Sequence, residues 1–273
     1  MKKTVALALG GGGARSIAQI PVLEALDDMG VKPVAVAGVS FGAVIAAAYC
    51  AGMSGKAIRR VAIDLAHDRS GTLARLAGAR ASTLGEWLAS PFGNPLLLDP
   101  EKVSAEILPS EVPDDFAKLK IPLTIIATDL HGRSEAAMTS GPLNSAVAAS
   151  IAIPALMRPV MRDGLVLVDG AAVNPLPFDL LRGKADIVIA IDASSGPLTP
   201  GGVPDPLEAL GATIAVMGQS IMARKLAAGA PDLMLKLNVG VFRLFDFFRA
   251  SAILRAADPL KAEVKERLAK LLV

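Results

Sequence analysis

The sequence predicts an α/β fold of three layers, a largely parallel sheet flanked by helices, and three observations predict it. Short apolar runs without alternation recur along the chain, as expected of strands covered on both faces. Helical patterns closed by glycine stand between them. The 273 residues are 52% hydrophobic and 20% charged, enough to bury a large core in one domain spanning 1–273 and too apolar for a disordered segment.

Taken in order, the first strand is Val5 to Leu9, followed by four glycines and a helical pattern from Ile17 to Met29 closed by Gly30. A second strand, Val34 to Ala37, leads into Gly42 to Ala51, which is apolar all round and alanine-rich and so reads as a buried helix. Residues 56–120 read as mostly helical, an excursion covering part of the sheet edge. Strands follow at Leu123 to Thr128, Leu165 to Val168 and Ile187 to Ile191. The glycine- and proline-rich stretch Ser194 to Pro206 reads as a linker or surface loop, and residues 207–273 as a helical extension.

Composition excludes several functions. The 28 Lys and Arg stand against 26 Asp and Glu, so no general positive field gathers nucleic acid, and 4% aromatics is too few for a base-stacking platform. The single cysteine, Cys50, cannot form an intrachain disulfide and suits a reducing compartment. No group of His, Asp and Glu has metal-ligand spacing, so neither a metal nor another cofactor is expected. Met1-Lys2-Lys3 before an apolar run imitates a secretory leader, but the run enters the glycines and Arg15 with no cleavage-like tail. The uncharged stretches Pro33 to Gly55 and Ala136 to Met157 are interrupted by glycines, prolines and polar residues and read as buried core, not membrane spans. A cytoplasmic location is the expectation.

Ligands of open α/β sheets bind beyond the carboxyl ends of the strands. Ser40 lies there, in Gly38-Val39-Ser40-Phe41-Gly42, between a predicted strand and a predicted helix. In that context a G-x-S-x-G turn presents the hydroxyl at a helix N-terminus, with the Phe41 N–H available to a developing oxyanion. The loop Gly10 to Ser16 has three readings. As a dinucleotide site it lacks the third glycine and an acidic ribose ligand, and as a phosphate loop it lacks Gly-Lys-Ser/Thr. As an oxyanion hole, the N–H groups of Gly11, Gly12 and Gly13 face the substrate carbonyl beside Phe41. Arg15 either orients an anionic head group or pins the loop through its carbonyls.

Serine needs a base. His67 sits in a polar helical surface pattern and reads as solvated, whereas His131, after a strand end, stays a candidate. Asp169 is the stronger one, since a carboxylate closing the apolar run Leu165 to Val168 is costly to bury without a hydroxyl or N–H partner. Asp129 and Asp192 share the strand-end position, with turn or capping roles open to them.

Gly11-Gly12-Gly13-Ala14-Arg15, Gly38-Val39-Ser40-Phe41-Gly42, Ala149-Ser150-Ile151-Ala152-Ile153-Pro154, and Asp169-Gly170-Ala171 with Asn174-Pro175-Leu176-Pro177 follow one another in an order and spacing that resemble the patatin-like phospholipase family, small bacterial members above all. The resemblance covers residues 4–193. It implies a patatin-like fold and a lipid acyl hydrolase with a Ser-Asp dyad, Ser40 the nucleophile and Asp169 the base. The glycine loop would be the oxyanion hole, and Arg15, Gly38, Gly42 and Gly170 would support the motifs. The implied partner is a phospholipid or other fatty-acyl ester. Ser16 departs from the family's usual glycine. Two other readings remain: a thioester-dependent acyltransferase with His131 as base, and a non-catalytic lipid-binding module. Val241 to Ala256 holds four of the eight phenylalanines, Phe242, Phe245, Phe247 and Phe248. Its projection as a helix leaves two readings, internal packing or peripheral contact with lipid, the latter at the inner membrane face.

Overall fold

The computed structural model describes residues 3–79, 97–194, 203 and 206–273. Most of the glycine- and proline-rich stretch expected as a linker therefore lies outside the described residues, as do residues 80–96 of the expected helical excursion.

The expected strands are present, with ends shifted by one or two residues: β1 (Val5–Leu9), β2 (Ala35–Val39), β3 (Leu123–Asp129), β6 (Leu165–Asp169) and β7 (Ile187–Asp192). Three more complete the sheet: β4 (Ser134–Met138), β5 (Val160–Arg162) and β8 (Leu233–Lys236). Among the described residues the sheet is eight-stranded, ordered β5-β6-β3-β2-β1-β7-β8 with β4 also paired to β3. The run β3-β2-β1-β7-β8 is parallel, while β4, β5 and β6 join antiparallel.

Side-chain size decides how the layers form. The strand runs are continuous in hydrophobicity but alternate large with small. Val5, Leu7 and Leu9 of β1, with Val36, Ile189 and Ile191, enter the main core. Ala6, Ala8, Ala35, Ala37 and Ala190 face a second, thinner cluster with Phe178, Leu181 and Met222. The large side chains meet α1 (Ile20–Asp28), α2 (Phe41–Cys50) and α6 (Leu143–Ile151). The small ones let the 3-10 turn Phe178–Leu181 and α7 (Pro206–Ala227) approach the other face. Each fully buried leucine or isoleucine contributes about 1.5–3 kcal/mol.

Where it is described, the helical excursion packs chiefly on other helices: of α3 (Gly55–His67), α4 (Arg69–Gly78) and α5 (Pro100–Ile107), α3 lies on α1 and α5 on α6. Each has a polar cap, since Ser54 accepts from Ala57 N–H, Asp68 from Gly71 N–H and Asp99 from Glu101 and Lys102 N–H.

The C-terminal region is not wholly helical. β8 pairs in parallel with β7, and Leu233, Leu235, Leu237 and Val239 are buried at a spacing of two, a strand signal that a helical reading of 207–273 passes over. Val241 to Ala256 is not one helix either: a turn and the 3-10 segment Phe247–Arg249 precede α8 (Ala250–Ala257), followed by α9 (Leu260–Leu272). These helices are tied back through Glu24 of α1, whose buried carboxylate meets Arg59 of α3 and Lys261 of α9. Burial alone would push that carboxyl up, yet the two cations hold it below its ordinary value. No described helix is long and apolar enough to cross a membrane.

Candidate active site

The register of β3 brings distant residues together. Val39 lies beside Ile126 in the parallel β2–β3 pair, and Asp169 beside Ala127 in the antiparallel β6–β3 pair. Two strands of opposite direction thus end at neighbouring positions along β3. Ser40 follows the first end, and its Oγ donates to Asp169 Oδ2 at 2.7 Å, across 129 residues of sequence.

Both residues are buried, Ser40 at 6% and Asp169 at 7% exposure. Burial pushes the Asp169 carboxyl up to about 6, against the opposing pull of hydrogen bonds from Ala171 N–H and Ser40 Oγ. Its other oxygen, Oδ1, accepts from Ala171 N–H at 2.8 Å, and the main chain is held as well: its N–H donates to Ala152 O and its carbonyl accepts from Thr128 Oγ1. Ser40 adopts φ 53°, ψ −135°, the sharp turn that the G-x-S-x-G pattern anticipates.

Glycine is required where the elbow meets its neighbours. A Cβ on Gly42 would collide with the carbonyls of Leu9 and Gly10, and one on Gly170 with the Ile126 carbonyl. Gly38 is crowded in the same way by Ala43 and Ala46.

The glycine loop is not equivalent along its length. Gly11 N–H donates to the Pro175 carbonyl at 3.1 Å, so it is not free to meet a substrate oxygen, which corrects the expectation for that residue. Among the described residues no acceptor takes the N–H of Gly12, Gly13 or Phe41. Arg15 is buried and its Nε donates to the Gly12 carbonyl at 3.3 Å, while burial lowers its pKa against the pull of Asp192. Of the two roles open to Arg15, pinning the loop is the one that requires this bond to the Gly12 carbonyl. Ser16 and Gln19 both donate to the Gly10 carbonyl.

The remaining candidates stand apart from this arrangement. His67 is exposed at the end of α3. His131 is exposed in the turn between β3 and β4, its N–H on Asp129 Oδ1. Asp192 accepts from Ser194 N–H, so Asp129 and Asp192 both brace turns. Cys50 is wholly buried, and burial raises its thiol pKa. Two residues with no role assigned from sequence touch the site, Thr128 and Ser150. For Ser150 the available signals were its place in the Ala149 to Pro154 motif and a lone hydroxyl inside the apolar run Ala146 to Ile151.

An apolar cavity of about 360 Å³ adjoins Ser40. Its walls include Val44, Ile45 and Ala48 of α2, Ile58, Val61 and Leu65 of α3, and Leu76 of α4, with Thr72, Arg75 and Glu106 contributing polar groups. Part of the wall comes from the phenylalanine segment. Leu244 O accepts from Ala14 N–H at 2.8 Å, which seats that segment on the glycine loop. Phe247 lies 4.9 Å, centroid to centroid, from Phe41, and Phe245 and Phe248 line the cavity too. Phe242 is buried in the core, whereas Val241 is 78% and Phe245 42% exposed.

Comparison with known proteins bears on the family and the fold. A family model described as patatin-like phospholipase matches residues 7–182. An uncharacterized NTE family protein of Mycobacterium tuberculosis is 34% identical over 201 residues, which is 72% of this chain and 51% of that protein. Patatin-like phospholipase domain-containing protein 7 of Rattus norvegicus is 30% identical over 194 residues, 70% of this chain and 14% of that protein. The chain thus spans about half the length of the mycobacterial relative and far less of the mammalian one. Among solved structures, human GIVD cytosolic phospholipase A2 bound to methyl gamma-linolenyl fluorophosphonate aligns with TM-score 0.54 at 15% identity, over 99% of this chain and 59% of that one. VipD from Legionella pneumophila aligns with TM-score 0.51 at 14% identity, over 97% and 67%. At these identities the likeness is one of fold, and the fold is the α/β one expected.

Proposed function

The chain belongs to the patatin-like phospholipase family, and from that premise we propose that it is a serine acyl hydrolase of phospholipids, lysophospholipids or related fatty-acyl esters, with Ser40 as nucleophile and Asp169 as general base. The observation that carries this reading is the 2.7 Å bond from Ser40 Oγ to Asp169 Oδ2 beside an apolar cavity of acyl-chain character. Cavities of a few hundred Å³ lined by hydrophobic side chains are typical of small-molecule sites.

In the first half-reaction Ser40 Oγ attacks the acyl carbonyl as its proton passes to Asp169 Oδ2. The negative charge gathering on the carbonyl oxygen is met by the N–H groups of Gly12, Gly13 and Phe41 and by the N-terminus of α2. Collapse breaks the ester bond, and the departing alcohol takes the proton from Asp169. In the second half-reaction Asp169 accepts a proton from water, the resulting hydroxide attacks the acyl-serine, and the fatty acid leaves as Ser40 recovers its proton. The exposed His131 has no part in these steps, which disfavours the acyltransferase alternative.

Incubation of the purified protein with mixed phospholipids, followed by lipid mass spectrometry, tests the reading. Release of free fatty acid with matching lysophospholipid is the expected result. Transfer of acyl groups to an acceptor without fatty-acid release would favour the acyltransferase, and unchanged lipid would favour the non-catalytic module.

The phenylalanine segment divides between the two roles open to it. Phe242 is buried and Phe247 packs on Phe41 in the cavity wall, while the exposed Val241 and Leu73, close along the chain to cavity-lining Phe245 and Thr72, support contact with a lipid surface. The double variant Val241→Ser, Leu73→Ser is expected to float several-fold less with anionic vesicles and to hydrolyse aggregated lipid more slowly, while sparing a short soluble ester. Equal loss on both substrates would assign these residues to packing.

A further inference from the structure

Ser150 stands near the end of α6 with no exposure to solvent. Its Oγ accepts from Ser40 N–H at 2.8 Å and donates to the Ile126 carbonyl at 2.6 Å. The proton transfers between Ser40 and Asp169 make no use of it.

Two features give this bridge its importance. Ser40 holds a positive φ of 53°, which an L side chain resists and which persists only where the surroundings over-determine it. The bridge also spans a gap in the sheet. β2 reaches no further than Val39 beside Ile126, and β6 begins its pairing one position on, at Ala127 with Asp169. Ser40 N–H therefore lies past the end of its ladder, close to a carbonyl it does not bond directly. A hydroxyl, acceptor and donor at once, is suited to span that gap. A displacement of the elbow by about 1 Å at such a site is enough to cost on the order of a hundredfold in rate.

We propose that Ser150 is a positioning residue whose hydroxyl tethers the Ser40 backbone to β3 and thereby keeps Ser40 Oγ on Asp169. The proposal rests on the reading of Ser40 as nucleophile. Alanine at this position leaves the Ser40 N–H and the Ile126 carbonyl without their partner in a buried place. Cysteine keeps nearly the same shape but offers only a weak donor and acceptor, so it separates hydrogen bonding from space filling.

The experiment compares the parent with Ser150→Ala and Ser150→Cys in three measurements. These are kcat and KM on a short soluble acyl ester, the rate of labelling of Ser40 by an organophosphonate ester, and the thermal midpoint. Both variants should fold, lose about 10- to 100-fold in kcat with KM within about twofold, and label more slowly by a similar factor. A cysteine variant with kcat and labelling rate within about threefold of the parent would overturn the proposal, since the side chain would then serve only to fill space. Should the alanine variant fail to fold, the cysteine variant decides alone. A labelled parent with unaffected variants removes only this proposal, whereas a parent that takes no phosphonate at Ser40 removes the nucleophile and the proposal with it.

Discussion

Replacing Ser40 with alanine is expected to bring acyl-ester hydrolysis down by about four to six powers of ten, close to the background rate, because among the described residues lining the cavity the one other hydroxyl, Thr72, donates to the Leu65 carbonyl and not to a base. The same change should abolish covalent labelling by a phosphonate ester. Intact-mass analysis of the parent would show one adduct, mapped to Ser40. The fold should survive, since the Ser40 side chain makes a single hydrogen bond and alanine leaves no large void. The variant also loses the bond that helps Asp169 to ionise, so the carboxyl should rise from about 6. Stoichiometric labelling of the variant would remove Ser40 from its role.

Asp169→Asn is expected to lower kcat by about two to four powers of ten, the usual worth of a general base. His131→Ala should stay near the parent rate. In the parent, activity requires the ionised carboxylate, so kcat/KM should climb with pH, reach half its plateau near pH 6 and level off above pH 7. Stability should run the other way. A carboxyl at 3.8 unfolded and about 6 folded binds its proton more tightly in the native state. Its contribution is therefore present at low pH and lost as pH rises through that interval, at a cost on the order of 3 kcal/mol above pH 6. Asparagine keeps the shape and removes the charge, and its amide can donate to Ser40 Oγ. The inactive variant should accordingly melt higher than the parent at pH 8, with the difference shrinking towards pH 4. Activity within tenfold of the parent would exclude Asp169 as base, and a variant that melts lower at pH 8 would show the carboxylate to be holding its own turn.

Much of the fold was legible because the relevant forces are local. Continuous apolar runs marked β1, β2, β3, β6 and β7, and glycines at positive φ close α1 and α2 as expected, at Gly30 and Gly52. The short strands β4 and β5 were not legible, since Ser134–Met138 is mostly exposed or half-buried and Val160–Arg162 is three residues long. β8 carried a readable alternation, obscured by the helical segments on either side of it. The phenylalanine segment misled for a different reason. Its aromatic residues do not share a helical face because a turn and a 3-10 segment distribute them between core, cavity wall and solvent.

The sequence by itself determined the elbow, because Gly38, Ser40 and Gly42 impose their backbone geometry within five residues. It also determined the layering, because alternating large and small side chains set a thick core on one face of the sheet and a thin one on the other. Three aspartates, Asp129, Asp169 and Asp192, end strands alike, and the apolar strand before Asp169 together with the family resemblance already favoured it over the other two. Only the tertiary structure decided why. β6 runs against β3 and ends where β2 ends, so Asp169 alone of the three is delivered to the serine, while the other two turn back into their own loops. Tertiary contacts also left Gly11 bonded to Pro175 and put Ser150 behind the elbow. Each of these, the pairing of the strands included, is set by contacts between residues far apart in the chain.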